Sequence, residues 1–380
     1  LGLAGPANAD NKPRVRQFRE LGRTGMKISD ISMGTSRTAD PAVVKHAFER
    51  GINYFDTAES YQDTAAETAV GDALSKHRND VFIATKVKAL PGHRSARLMR
   101  NLEDSLKRLK TDHVDVYFNH AVNDVARLQI DEWYEMTQLA KKQGKIRFTG
   151  MSGHGGNLIE CLDYALDNAL VDVILAAYNF GQDPKFYERF TKSFDFVANQ
   201  QGLPRVLEKA KSKGVGVIAM KTLMGGRLND LSEYRWPGGS VAQAAFRWTL
   251  SSPYVDALIV SMTNAQQVDR YLGASGRAHV AYRQQRVLRD YAERNSATYC
   301  RPGCGACAES CPVGVPIADV LRARMYKLDY RDDRLAADSY ANLEQGASPC
   351  LQCAEPVCQS ACPYDLSIRE LTRETARILG

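Results

Sequence analysis

Four polar residues, Asp56, Tyr61, Lys86 and His120, stand at or just past the ends of three successive strand-like runs, 54–56, 81–86 and 114–118. Taken singly, each has an ordinary explanation, since a tyrosine usually packs and a lone histidine is more often structural than catalytic. Together they are the parts of a carbonyl reduction. Hydride addition to a carbonyl needs a proton for the developing alkoxide. A tyrosine hydroxyl, which normally titrates near ~10, can give that proton when a neighbouring lysine cation lowers its pKa. An aspartate can keep the lysine charged and oriented, and a histidine beside the tyrosine can hydrogen-bond the substrate oxygen and polarise it.

Eight of the nine cysteines lie after residue 299, in the runs Cys300-x3-Cys304-x2-Cys307-x3-Cys311-Pro312 and Cys350-x2-Cys353-x4-Cys358-x3-Cys362-Pro363. A disulfide framework normally staples a small domain that lacks a core, whereas this chain is long enough to build one. Short gaps between cysteines point instead to metal or cluster ligation. Each run resembles the ferredoxin pattern C-x2-C-x2-C-x3-C-P with one gap lengthened. That resemblance implies two [4Fe-4S] clusters, one on Cys300, Cys304, Cys307 and Cys362 and the other on Cys350, Cys353, Cys358 and Cys311, because the fourth cysteine of a ferredoxin run serves the other cluster. Two four-thiolate zinc sites are the alternative, although structural zinc favours separated pairs over four cysteines crowded into one run. Cys161, alone in the first 299 residues, reads as a small buried hydrophobe.

From about residue 28 to 275, short β-branched runs (28–34, 54–56, 81–86, 114–118, 146–151, 171–176, 215–220 and 257–260) alternate with longer amphipathic stretches. In 95–110, Leu98, Leu102, Leu106 and Leu109 recur at helical spacing and form one apolar stripe. Pro41 and Gly51 bracket the first helix, and Gly144 and Gly214 end helices ahead of strands. Eight such alternations predict an α/β fold with a closed (β/α)8 barrel, whose strand ends converge on one face. An open doubly wound sheet would carry a G-x-G-x-x-G turn after its first strand, and 31–36 is not one. After Tyr282 the pattern becomes helical: 284–295 leads into the first cysteine run, 317–330 and 335–343 form a charged spacer, and 366–379 closes the chain. The expected domains are therefore 18–283 for the barrel and 284–380 for a small, mainly α-helical, ferredoxin-like domain holding two clusters.

The segments Gly22-Arg23-Thr24-Gly25, Phe55-Asp56-Thr57-Ala58, Tyr61, Glu67 with Val70-Gly71, Thr85-Lys86 and Asp115 to His120 resemble those of the aldo-keto reductase superfamily over roughly residues 18–275. The resemblance implies Tyr61 as general acid/base, Lys86 and Asp56 as its activators, His120 as the residue that orients the substrate, and NADP(H) or NAD(H) laid across the barrel mouth. Ser152 matches a residue that contacts the nicotinamide carboxamide, but the asparagine that usually follows is Gly153, and the glutamine of the sixth strand is Leu175. The basic pair that commonly grips an adenosine 2′-phosphate falls at Ser261 and Gln267, both uncharged. The loop 220–227 resembles the pyrophosphate-covering loop of the superfamily's iron–sulfur members, with Lys221, Leu223 and Arg227 as its cofactor candidates. Weak NADPH selectivity, use of NADH and no free nicotinamide all remain open on these residues. His154 falls near the same mouth.

The combined expectation is an oxidoreductase with carbonyl/alcohol hydride chemistry in the barrel and electron transfer through two clusters. The alternative is an electron-transfer or binding subunit of a larger redox complex with a degenerate nicotinamide site. Expected partners are a small carbonyl or alcohol substrate and a redox partner protein. The 380 residues carry a net charge of +6 with no block of like charge, which gives nucleic-acid binding little support. No stretch reaches the ~18 apolar residues of a membrane span. The first 17 residues, with Ala7-Asn8-Ala9 before Asp10, read either as a tail or as the remnant of a signal peptide; the latter implies periplasmic delivery by twin-arginine export, the former a cytoplasmic protein.

Overall fold

The structure is a computed structural model that describes residues 13–182, 202–224, 235–295 and 297–380. Residues 1–12, which carry the proposed signal remnant, and Arg227 lie outside the described residues. Among the described residues the strands are β1 (Phe18–Glu20), β2 (Lys27–Ser29), β3 (Ile31–Gly34), β4 (Tyr54–Asp56), β5 (Phe82–Val87), β6 (Val114–Asn119), β7 (Ile146–Gly153), β8 (Val173–Ala177), β9 (Gly216–Met220), β10 (Arg235–Trp236), β11 (Gly239–Ser240) and β12 (Ala257–Ser261). The helices flanking the barrel are α1 (Pro41–Glu49), α2 (Ala65–Leu74), α3 (Ser95–Leu109), α4 (Asp131–Lys142), α5 (Leu158–Asp167), α6 (Gly202–Ser212), α7 (Val241–Ser251) and α8 (Ala265–Leu272). Five more follow: α9 (Tyr282–Asn295), α10 (Ile317–Leu328), α11 (Asp333–Ala341), α12 (Val357–Ser360) and α13 (Ile368–Leu379).

Strands β3 to β9 and β12 pair in parallel and close into a barrel in the order β12-β3-β4-β5-β6-β7-β8-β9. Side chains alternate along a strand, so residues two apart share a face. Tyr54, Ala84, Val116, Phe118, Val173, Leu175, Ile218, Ala257 and Ile259 consequently pack together as the barrel interior. Two residues further along β4, β5 and β6 the same inward parity delivers Asp56, Lys86 and His120. The parallel register, with Asp56 opposite Ala84 and Lys86 opposite Phe118, keeps these three at neighbouring heights. The site is thus the uppermost layer of the barrel filling.

The sequence run 28–34 divides. Its first part pairs with β1 as an antiparallel hairpin, and only β3 enters the barrel. Asp30 makes the break: its buried carboxylate accepts from the Ile31 and Gly276 N–H groups and the Ser275 hydroxyl, contacts that hold the corner in place. Leu21, Met26 and Ile28 of this hairpin join the interior cluster and stopper the barrel opposite the site. Gly22, at φ +50°, lies so close to β9 that a Cβ there would meet the backbone of Gly214 to Gly216 at 2.3–2.7 Å.

The chain beyond the barrel departs from expectation. Val315, Ile317, Val320, Leu321, Ala347, Leu366, Ile368, Leu371 and Ala376 form a small apolar cluster, and six of the cysteines pack against it. Cys300, Cys304, Cys307 and Cys362 border one small cavity. Among the described residues, however, no group of three or more His, Cys, Asp or Glu side chains could hold a metal ion. The expected iron–sulfur type and the separate ferredoxin-like domain are therefore corrected to a helical segment following a parallel barrel. Burial, reinforced by Cys304 and Cys362 among the neighbouring sulfurs, pushes Cys300 up to about 11, and burial with the same kind of neighbours pushes Cys307 up to about 12. Spacing along the chain did not translate into a coordinating group.

Candidate active site

Asp56 and Lys86 meet as a buried ion pair, their side chains 2% and 1% exposed, and the Lys86 ammonium also donates to the Thr57 carbonyl at 2.6 Å. Burial pushes the Asp56 carboxyl up and the Lys86 ammonium down, and each charge opposes the other's shift. Tyr61 sits on the turn after β4, where Gln62, Asp63 and Thr64 all take positive φ before α2 begins. Its ring lies 4.8 Å from Lys86 Nζ and meets the His120 ring edge-on at 5.6 Å. The structure therefore brings all four expected residues together.

Their electrostatics differ from the expected form. Lys86 is spent on Asp56 and Thr57 and faces the ring of Tyr61. Burial, and then the Asp56 charge, raises Tyr61 well above the usual phenol range. Burial, followed by the cations Lys86, Lys88, Arg127 and Lys221, drives His120 well below the usual histidine range, so its imidazole is neutral. Among the described residues its Nδ1 has no hydrogen-bond partner, and neither do Asp56 Oδ2, Thr57 Oγ1, Thr222 Oγ1 or His154 Nδ1. Such unsatisfied atoms are costly unless a ligand or water reaches them.

Arg127 is a positioning residue that the sequence reading missed. From the short turn after β6 it donates to the carbonyls of Ala89, Ala121 and His120 and to Asn119 Oδ1, at 2.7–3.0 Å, fixing the loop that carries His120. Glu67 on α2 similarly bonds Thr85 and, at 2.7 Å, Arg108. No periodic signal marks Arg127, because its partners are mostly backbone carbonyls.

The expected cofactor contacts divide. Ser152 Oγ accepts the Ala121 N–H at 2.9 Å, which leaves the hydroxyl proton available to a ligand at the mouth. A Cβ at Gly153 would stand 2.6 Å from Leu158 Cδ1 and 3.1 Å from the Val122 carbonyl oxygen, so a side chain there requires Leu158 to shift. Leu175 lies in the barrel filling. Leu223 is buried in the main core. Ser261 bonds the Ser36 hydroxyl at 2.8 Å, and Gln267 accepts the Thr263 N–H at 2.7 Å and donates to Tyr271 at 3.0 Å. Lys221, at φ +56°, donates to Tyr326 Oη at 2.5 Å and stands 4.5 Å from that ring.

Tyr326 belongs to α10, one of several elements that cross the barrel mouth. Arg37, after β3, pairs with Asp332 at 3.1 Å, and Asp63, after β4, pairs with Arg334. Asn123, after β6, bonds Asp319 at 2.6 Å, and the Gly155 carbonyl, after β7, accepts from Gly303 N–H at 3.1 Å. Asn179, after β8, bonds Tyr299 at 2.7 Å, and Lys221 follows β9. The C-terminal helices thus roof the site.

The Aldo/keto reductase family model matches residues 24–235. The chain is 28% identical over 298 residues to the L-galactose dehydrogenase of Arabidopsis thaliana, covering 68% of this chain and 88% of that protein. It is 27% identical over 310 residues to the 6-dehydroglucose reductase of Novosphingobium aromaticivorans, covering 72% and 94%. The fold is similar to that of an aldo-keto reductase from Klebsiella pneumoniae solved in complex with NADPH, with a TM-score of 0.56, 24% identity, and coverage of 73% of this chain and 96% of that one.

Proposed function

Because this chain belongs to the aldo/keto reductase family and is an oxidoreductase acting on a small carbonyl or alcohol, we propose that Tyr61, Lys86, Asp56 and His120 carry its turnover with a nicotinamide as hydride carrier. The observation that carries this reading is the convergence of Tyr61 and His120 on one side of the buried Lys86–Asp56 pair. When bound, the nicotinamide supplies the hydride that adds to the carbonyl carbon. Ser152 and Thr222, each with hydrogen-bonding capacity to spare, are the residues that would hold its polar groups. The uncharged Ser261 and Gln267 offer no cation to a 2′-phosphate. The expected electron path through two clusters has no metal-holding group among the described residues and is dropped, and with it the redox partner protein that the path required.

The chain's own residues handle one proton. As the carbonyl oxygen gains charge, the Tyr61 O–H bond breaks and its proton goes to that oxygen, while the neutral His120 imidazole can hydrogen-bond the same oxygen. Lys86, held by Asp56, puts a fixed positive charge beside the resulting phenolate. Its stabilisation of Tyr61 therefore acts when the phenol loses its proton and not before.

The pH dependence follows from the directions of the two shifts. Tyr61 stays protonated to high pH because its pKa is raised, and His120 stays neutral to low pH because its pKa is lowered. Expected kcat/KM for carbonyl reduction is flat from about pH 6 to about pH 9, while alcohol oxidation, which needs the phenolate, rises with pH. NAD(P)H consumption with a panel of aldehydes, measured across that range, tests both halves. A break near neutral pH, or no turnover of any carbonyl compound, counts against the reading.

The roof is free of a spanning role: no helix among the described residues is long and apolar enough to cross a membrane.

A further inference from the structure

Lys221 and Tyr326 repeat, on the roof side of the mouth, the lysine–tyrosine pairing of Lys86 and Tyr61. The resemblance stops at the counter-charge. Lys86 has Asp56, whereas the one hydrogen bond that Lys221 Nζ makes among the described residues goes to the neutral phenol of Tyr326. The charged group that acts on it is another cation, Arg322, which is 3% exposed on the same face of α10. Lys221 is held there by a left-handed backbone that a β-strand terminus does not require, and its carbonyl is tied by Asn179 at 2.9 Å. Tyr326 is 2% exposed and meets His154 edge-on at 6.4 Å. It is close enough to Tyr61 for that phenol to influence its ionisation. A phenol that accepts a hydrogen bond from an ammonium has its own O–H left to donate into the mouth. A partly buried cation without an anion is unfavourable by itself and favourable once an anion arrives.

We infer that Lys221 and Tyr326 form the anchor for a carboxylate on the substrate, so that the preferred carbonyl compounds are oxo acids. This rests on the carbonyl-reductase reading of Tyr61, because the anchor has meaning as a second point of attachment for the molecule whose carbonyl meets that residue. Position favours the substrate: Lys221 is near enough to act on His120, and Tyr326 near enough to be acted on by Tyr61. Arg322 adds to the positive field, and Asp319 on the same helix offsets it in part.

Lys221 is strongly biased towards the neutral amine by burial and by Arg322. Groups from three directions act on it or are acted on by it, namely Tyr326 and Arg322 from the roof, His120 after β6 and His154 after β7. Binding a carboxylate therefore draws a proton onto Lys221, and affinity falls as pH rises.

The test compares 4-oxobutanoate with butanal, which lacks its carboxylate, in steady-state reduction by the full chain with NADPH. The wild-type protein favours 4-oxobutanoate in kcat/KM, and Lys221→Met reduces that ratio by about tenfold or more, the scale of a lost charge-assisted hydrogen bond. Lys221→Arg retains most of the ratio and Tyr326→Phe lowers it severalfold. The effect falls on KM more than on kcat. A ratio unchanged by Lys221→Met overturns the inference, and so does a rise in the KM for NADPH with the ratio unchanged, which would place a cofactor phosphate on Lys221. If neither compound is reduced by the wild type, the failure belongs to the reductase reading, and calorimetry with succinate decides the anchor alone. Succinate then binds the wild type with proton uptake and fails to bind Lys221→Met. Equal binding to both, or none to either, overturns it.

Discussion

Tyr61→Phe lowers kcat for carbonyl reduction by about 10²- to 10⁴-fold, the usual contribution of a positioned general acid. The substitution removes one hydroxyl and keeps the ring that Lys86 faces and that His120 meets edge-on. The fold and the mouth therefore survive, and the loss appears in kcat and kcat/KM together because the proton transfer exists only in the transition state. His120 cannot take over: its pKa lies well below the usual histidine range, so the neutral imidazole can hydrogen-bond a substrate oxygen but has no acidic proton to give up. Steady-state kinetics on the variant, with circular dichroism to check the fold, measures this. A loss of less than about threefold would assign the proton to another group.

The second large effect concerns stability. Lys86 and Asp56 are almost wholly buried, and removing either partner leaves a charge without its counter-charge in the barrel. Lys86→Met and Asp56→Asn are each expected to destabilise the protein by about 3–5 kcal/mol, while the double variant recovers a large part of the loss because no charge then remains buried. Denaturant unfolding of the three variants measures the coupling as a double-mutant cycle. The double variant stays catalytically impaired, since Tyr61 has lost the cation that receives its phenolate. Strictly additive destabilisation would mean that the pair is not a pair in solution. The contrast with Lys221, which has no such partner among the described residues, is that one lysine is neutralised within the barrel and the other awaits an anion.

The proximity of the four candidate residues was legible in the sequence because a parallel barrel converts position along a strand into position in space. Asp56 and Lys86 stand at the same inward parity on adjacent strands, with His120 one residue past the next strand, and parity is a sequence property. What was not legible has identifiable causes. The corner at Asp30 depends on hydrogen bonds to Ser275 and Gly276, some 245 residues away, so the run 28–34 looked like one strand. Lys221 and Tyr326 are 105 residues apart and belong to different parts of the chain, and no local pattern links them. Arg127 works on backbone carbonyls, which leave no trace in residue types. The expectation that Lys86 lowers the pKa of Tyr61 failed on direction: proximity was right, but the ammonium is turned to Asp56 and Thr57, and burial dominates the phenol. The cysteines misled most. Their crowding suggested two clusters, yet spacing fixes only how close residues can come along the chain, and among the described residues they do not assemble a metal-holding group.

Transfer of deuterium from NADPH labelled at C4 of the nicotinamide to the carbonyl carbon of 4-oxobutanoate or a simple aldehyde, followed by mass spectrometry of the alcohol, is the most direct test of hydride chemistry at the Tyr61 site. The expected result is one deuterium on the carbinol carbon with the wild-type protein and a rate of labelled-product formation that collapses in Tyr61→Phe. Alcohol formed without the label, or labelled alcohol formed equally fast by Tyr61→Phe, would contradict it.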